Sequence, residues 1–212
     1  MTKGEDVEAP VSEPRLAIAP VPTKSRVPLW AWLLIAAGLM AIVAGLELAM
    51  GRSLLSASGK VRLWVGDMNS PEMSQQLADW YSFTHIVQGM ALYGLLRLSG
   101  GRRWTLGFRL VLAVGLEAGW EVLENSSFII HRYREATIAL GYCGDSVLNS
   151  MSDIVFCLLG FLLARWRPLW VAVLLAVGIE LGLAYAIRDN LTLNIIMLIH
   201  PFAAIKHWQM GG

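Results

Sequence analysis

Three sets of polar residues are spaced so that each would share one face of an α-helix. Glu117, Glu121 and Glu124 fall at i, i+4 and i+7. Asp145, Asn149 and Asp153 fall at i, i+4 and i+8, and Ser82, His85 and Gln88 recur every third residue. Carboxylates beside an imidazole are the equipment of general acid–base chemistry. This makes His85, Glu117, Glu121, Glu124 and Asp153 the candidate catalytic groups. An oxygen-rich cluster also suits magnesium or calcium, so Glu121, Glu124, Asp145 and Asp153 are candidate ligands for a divalent cation. Asp79, Asp145, Asn149, Arg132, Arg134, Arg188 and Asn190 complete a candidate binding set. Its guanidinium groups offer bidentate contacts to a phosphate or carboxylate. The sequence contains no G-x-S-x-G or H-E-x-x-H signature that would name a reaction.

These polar sets sit in an apolar setting. The chain has 212 residues, 56% hydrophobic and 16% charged, with a mean hydropathy of +0.54. A soluble domain of this size is about a quarter charged. Apolar runs cover residues 29–50, 79–98, 105–124, 147–165 and 168–187. Each approaches the roughly 20 residues that a helix needs to cross the hydrocarbon core. The expected fold is therefore all-α, a polytopic transmembrane helical bundle of about five spans. A further segment, 191–205, is shorter and is interrupted by Pro201. It is expected to be an interfacial or re-entrant helix. Residues 1–28 carry five of the eight prolines (Pro10, Pro14, Pro20, Pro22 and Pro28) and are expected to be a disordered cytoplasmic tail ahead of a single transmembrane domain, 29–212. Tryptophans at 30, 32, 80, 104, 166 and 170 flank the runs, as in an interfacial belt.

Alternate connections are basic: Arg15, Lys24 and Arg26 precede the first run, Arg97, Arg102, Arg103 and Arg109 surround the second connection, and Arg165 and Arg167 separate the fourth and fifth runs. The positive-inside rule then puts the N-terminus in the cytoplasm. The same orientation gathers the ionisable residues of the spans, from Glu47 through His85 and Glu121 to Glu180, into the outer half of the membrane. A charge at the bilayer centre costs about 2.5–3.5 kcal/mol even on the lenient insertion scale. Four unpaired carboxylates (Glu117, Glu121, Asp153 and Glu180) would therefore cost on the order of 10 kcal/mol, comparable to the stability of a whole domain. They must be paired, protonated, hydrated or bound to a cation, and the three stripes are expected to face one another. The bland alternative is a structural network that only joins helices. His85 by itself would ordinarily be a hydrogen-bonded structural residue. Arg132 and Arg134 could equally touch lipid headgroups, and Asp145 is placed to cap the helix that follows it. A net charge of +1 gives no nucleic-acid footprint. Cys143 and Cys157 are expected to be free thiols, since 14 residues of helix would hold them about 21 Å apart.

The strings DWYSFTHIVQGMALYGLL, EAGWEVLENSSFIIHRYREATIALGYCGDSVLNSMSD and YAIRDNLTLNIIMLIHP resemble a family of uncharacterised bacterial multi-pass inner-membrane proteins, a domain of unknown function. The resemblance covers roughly residues 30–210 and implies a small inner-membrane protein without implying an activity. A looser likeness is to VanZ-like membrane proteins, through Asp79 and His85, then Glu117 and Glu121, then Asp145, Asn149 and Asp153. Three functions compete at this point. One is a protein that handles a lipid headgroup or other anionic amphiphile at the outer leaflet, with Glu121, Glu124 or His85 as acid or base. The second is an ion- or proton-coupled carrier, and the third a non-catalytic assembly partner.

Overall fold

The computed structural model describes residues 27–100, 103–137 and 141–211. The expected tail falls almost entirely outside these residues, as do Arg15, Lys24, Arg26 and Arg102. Among the described residues every regular element is helical: α1 (Leu29–Ala49), α2 (Ser82–Gly100), α3 (Leu106–Glu124), α4 (Ser127–Ala136), α5 (Val147–Trp166), α6 (Leu169–Ile187), α7 (Leu191–Ile199) and α8 (Ala203–Gln209).

The five apolar runs become five long helices with nearly the expected ends. Three of them, α1, α5 and α6, are long and apolar enough to cross a membrane. Their burial separates two roles. Half of the most apolar stretch of α5 is buried within the bundle, against 11% for α1 and α6. Thus α5 is the central helix, and α1 and α6 turn Leu33, Leu34, Ile42, Leu174 and Leu181 outward. Fully polar-free surfaces of this kind are stable against lipid and not against water.

Small residues bring α2 and α5 into backbone contact. A β-carbon on Gly89 would lie 1.9 Å from the Cys157 carbonyl oxygen, and one on Gly160 would lie 1.9 Å from that of Ile86. Where lipid is as apolar as leucine, close approach of this sort supplies the packing energy between helices. Below the glycine contact, Met90, Tyr93, Leu96, Phe161 and Ala164 form an apolar core, with Tyr93 edge-on to Phe161 at 5.2 Å.

Two connections between the long helices are themselves packed onto the bundle. Segment 125–148, outside the apolar runs, contains the α4 helix, capped by Ser126, which accepts from the Ile129 amide at 3.3 Å. Segment 51–78 forms no regular element, and its residues 74–77 run along the start of α5 and are fastened to it. Ser146 donates to Gln75 O (3.1 Å), Asn149 to Gln76 O (3.0 Å) and Ser152 to Leu77 O (2.5 Å). The first amides of α5 are likewise taken up by the segment that follows α1, Val147 N by Ser53 O at 2.9 Å and Leu148 N by Leu54 O at 3.2 Å. Helix ends leave such groups without intrahelical partners, and buried amides must find acceptors. The 191–205 segment is broken as expected. The nine residues of α7 reach about 14 Å, too short to span.

Candidate functional site

The polar residues collect at one end of the bundle, where the C-terminal ends of α1, α3 and α6 meet the N-terminal ends of α2 and α5. His85, one turn before Gly89, points its ring between α3 and α5. Its Nδ1 lies 2.6 Å from Glu117 Oε1 and 3.6 Å from Glu121 Oε1, and its Nε2 lies 3.9 Å from Asp153 Oδ2. Gln88, on the next face of α2, donates to Glu117 Oε2 at 2.5 Å. All four of His85, Glu117, Glu121 and Asp153 are buried. Every ion pair among the described residues is one that His85 makes. Glu121 Oε1 and Asp153 Oδ1 are buried without a hydrogen-bond partner. Glu121 Oε1 is thus aimed at the imidazole and left unsatisfied, while Asp153 faces the imidazole with its other oxygen; each orphaned group costs a structural network about 1–3 kcal/mol.

His85 and Asp153 also line a cavity of about 70 Å³ together with Glu124, Asp145, Tyr81, Tyr142 and Asn194. A single water needs about 10–15 Å³ of such space, so the cavity holds several. Tyr133 and Trp120 face the Glu124 carboxylate. Tyr142 donates to both oxygens of Asp145 at 3.0 Å. Burial, and then the neighbouring Glu124 and Asp153 charges, push the Asp145 carboxyl well above the usual carboxylate range. Leu191, Ile195 and Leu198 of α7 close one side, and α7 itself is held down by acids. Glu180 accepts from the Leu191 and Thr192 amides at 3.1 and 3.0 Å, and Asn190 caps the helix through the Leu193 amide at 2.8 Å. Carboxylate at a helix N-terminus is favoured both by the free amides and by the helix dipole. This accounts for Glu180 without a ligand.

Several candidate residues are placed elsewhere. Arg132 donates to Leu198 O (2.9 Å) and Ile199 O (3.2 Å), the free carbonyls at the end of α7. Arg134 donates to Tyr142 O at 2.5 Å and Arg188 to Trp208 O at 3.1 Å. None of the three arginines lines the acidic cavity. Asp79 accepts from the Ser74 and Tyr81 amides at 2.9 and 2.8 Å and so organises the entry to α2. The helix after Asp145 is capped by Ser146 in its place, with Ser146 Oγ accepting from the Asn149 amide at 3.2 Å. Asp145 therefore precedes the helix, and only Asn149 and Asp153 of that stripe lie on α5. Both cysteines are free, Cys143 exposed and Cys157 buried.

Sequence reasoning passed over Asn125. Its Nδ2 lies 3.2–3.3 Å from Glu47 Oε1, Asp145 Oδ2 and Ser150 Oγ, and its Oδ1 accepts from the Asp145 amide at 2.7 Å. It ties α1, α3 and α5 together. The only signal was its position directly after an acidic helix. Tyr81 and Tyr142 were also missed; Tyr81 lies in an apolar run, where a tyrosine looks like packing.

Residues 47–211 match the family described as Protein of unknown function (DUF2585). The chain belongs to that family. Every residue of the His85 cluster and of the cavity falls within the matched region. Among relatives, a UPF0314 protein of Sphingopyxis alaskensis is 50% identical over 179 residues, covering 84% of this chain and 95% of its own. Another, from Rhizobium johnstonii, is 48% identical over 180 residues, with 85% and 92% covered. A third, from Paracoccus denitrificans, is 42% identical over 187 residues, with 88% and 94% covered. No solved structure matches the chain. Family membership agrees with the first resemblance drawn from the sequence. The looser likeness to VanZ-like proteins rests on the sequence alone.

Proposed function

We propose that this chain is a five-span inner-membrane protein, N-terminus cytoplasmic, whose polar cavity opens to the outer face and receives the headgroup of a membrane amphiphile. One observation carries the reading: His85, Glu117, Glu121 and Asp153, from three helices, converge on one buried point beside a cavity of about 70 Å³. Intramembrane ionisable groups are expensive and functional by default. In support, the cavity has an apolar side, from Leu191, Ile195 and Leu198 of α7, and a side rich in acids and phenols, which matches an amphiphile with a polar end. His85, Glu124, Asp145 and Asp153 are among the groups that reach the cavity with a proton to give or take. The arginines assigned to an anion are committed to backbone carbonyls, so the headgroup is one that tolerates carboxylates or arrives with a cation. The carrier alternative has less support, since the path beyond His85 is closed by Met90, Tyr93 and Phe161.

The test is to purify the full chain in mild detergent and identify co-purifying amphiphiles by mass spectrometry. Ile195→Trp narrows the cavity from α7 without touching the acids. The expected result is one enriched amphiphile, depleted several-fold in Ile195→Trp at unchanged melting temperature. A lipid profile identical to that of the bulk membrane in both proteins would sink the proposal.

A further inference from the structure

Glu117 and Glu121 place two carboxyl groups behind His85, which itself lines the cavity, and no lysine or arginine among the described residues pairs with either. His85 offers at most one positive charge. Glu121 Oε1 is unpartnered although its residue is 1% exposed. One nitrogen and two carboxylate oxygens therefore face a common point, all within 4.8 Å of one another.

We propose that His85, Glu117 and Glu121 bind one divalent transition-metal ion of the zinc class, on the side of His85 that faces α3 and next to the cavity that His85 lines. This deepens the reading of the cavity as a working site by naming the cation that the headgroup would meet. Four features support it. Ligands of a tetrahedral zinc at about 2.0–2.1 Å stand roughly 3.3 Å apart. The 3.6 Å from His85 Nδ1 to Glu121 Oε1 already fits, and the 2.6 Å to Glu117 opens by less than about 1 Å. One imidazole with carboxylates favours zinc over magnesium or calcium, which take oxygen alone. Two carboxylates neutralise two charges, which removes the cost of burying them. The surroundings supply outer partners: Gln88 orients Glu117 at 2.5 Å, and Asp153, 3.9 Å from the far nitrogen of His85, comes within hydrogen-bond reach by closing about 1 Å. A ligating histidine almost always gives its second N–H to such a partner.

Three protein ligands leave a fourth position, which a water or a headgroup oxygen fills in catalytic zinc sites. Here His85 is the ligand that borders the cavity, and Asp145, Asp153 and Glu124 line the approach. The site differs from the cation site expected from the sequence, which used Glu124 and Asp145 and left out the histidine.

The experiment uses the full chain in detergent, stripped with a chelator and titrated with Zn²⁺ alone. Bound metal is counted by mass spectrometry and its ligands are read by X-ray absorption. The expected result is one zinc per chain, with nitrogen and oxygen scatterers and no sulfur. Glu121→Gln should abolish binding, and Asp153→Asn should weaken it about 10–100-fold while leaving the ligands in place. Equal zinc in the wild type and Glu121→Gln at equal melting temperature would overturn the proposal. So would a sulfur scatterer, which would move the ion to Cys143 or Cys157. Zinc bound as expected with no amphiphile upholds the metal site and removes the headgroup reading; an amphiphile without zinc does the reverse.

Discussion

Gly160 of α5 lies so close to Ile86 of α2 that a β-carbon on it would stand 1.9 Å from the Ile86 carbonyl oxygen. Gly89 stands in the same relation to Cys157. The two contacts clamp α2 to α5 about one turn from His85, and this clamp sets how far His85 stands from Asp153.

Gly160→Ala should therefore do more than loosen the bundle. Overpacking against backbone costs about 1–3 kcal/mol or more, read as a lower melting temperature in detergent, and it should move His85 away from Asp153. Gly94→Ala, on the same α2 helix with open space beyond it, is the control. It should be neutral or stabilising, because alanine is the better helix former by about 0.5–1 kcal/mol. Equal losses from the two substitutions would contradict the clamp.

Asn125 should be among the most sensitive polar positions outside the His85 cluster. Asn125→Leu preserves size and leaves the Asp145 amide, which now donates to Asn125 at 2.7 Å, without its acceptor. Each buried group so orphaned costs about 1–3 kcal/mol. A melting temperature within a degree of the wild type would show that water replaces the side chain at no cost.

Asp189 makes stability depend on pH. Burial raises its pKa to about 6 from an ordinary 3.8, against the hydrogen bonds from the Asn190 amide, Tyr81 and Gln209, which lower it. With the folded pKa above the unfolded one, the folded state holds more protons. The group's favourable contribution is then complete below about pH 4, falls as pH rises to 6, and is gone above that. The melting temperature of the wild type minus that of Asp189→Asn should fall between pH 4 and 6 and level off near pH 7. A difference that rises with pH over this window would reverse the assignment.

The two thiols report orientation. Cys143 is exposed and Cys157 is 2% exposed. A membrane-impermeant maleimide added to intact spheroplasts should label Cys143 and leave Cys157 untouched until the protein is denatured. The single-cysteine variants Cys157→Ser and Cys143→Ser distinguish the two. Labelling of Cys143 only in inside-out vesicles would invert the proposed topology and place the cavity on the cytoplasmic side.

What the sequence by itself determined is the set of long helices and the end at which their polar residues lie. The apolar runs at 29–50, 105–124, 147–165 and 168–187 match α1, α3, α5 and α6 to within one or two residues, because span length and hydropathy are local properties that bilayer thickness dictates. The i, i+4 spacing of Glu117 and Glu121 likewise placed both on the face that meets His85. Tertiary structure alone decided which of these polar groups share a point. Arg132 and Arg188 looked like anion ligands, but the carbonyls that they satisfy belong to Leu198 and Trp208, far along the chain. Asn125 looked like a helix end, but its partners come from α1 and α5. Helix periodicity fixes the side of one helix on which a residue lies. The depth and angle at which two helices cross depend on contacts such as Gly160 against Ile86, which join residues distant in sequence.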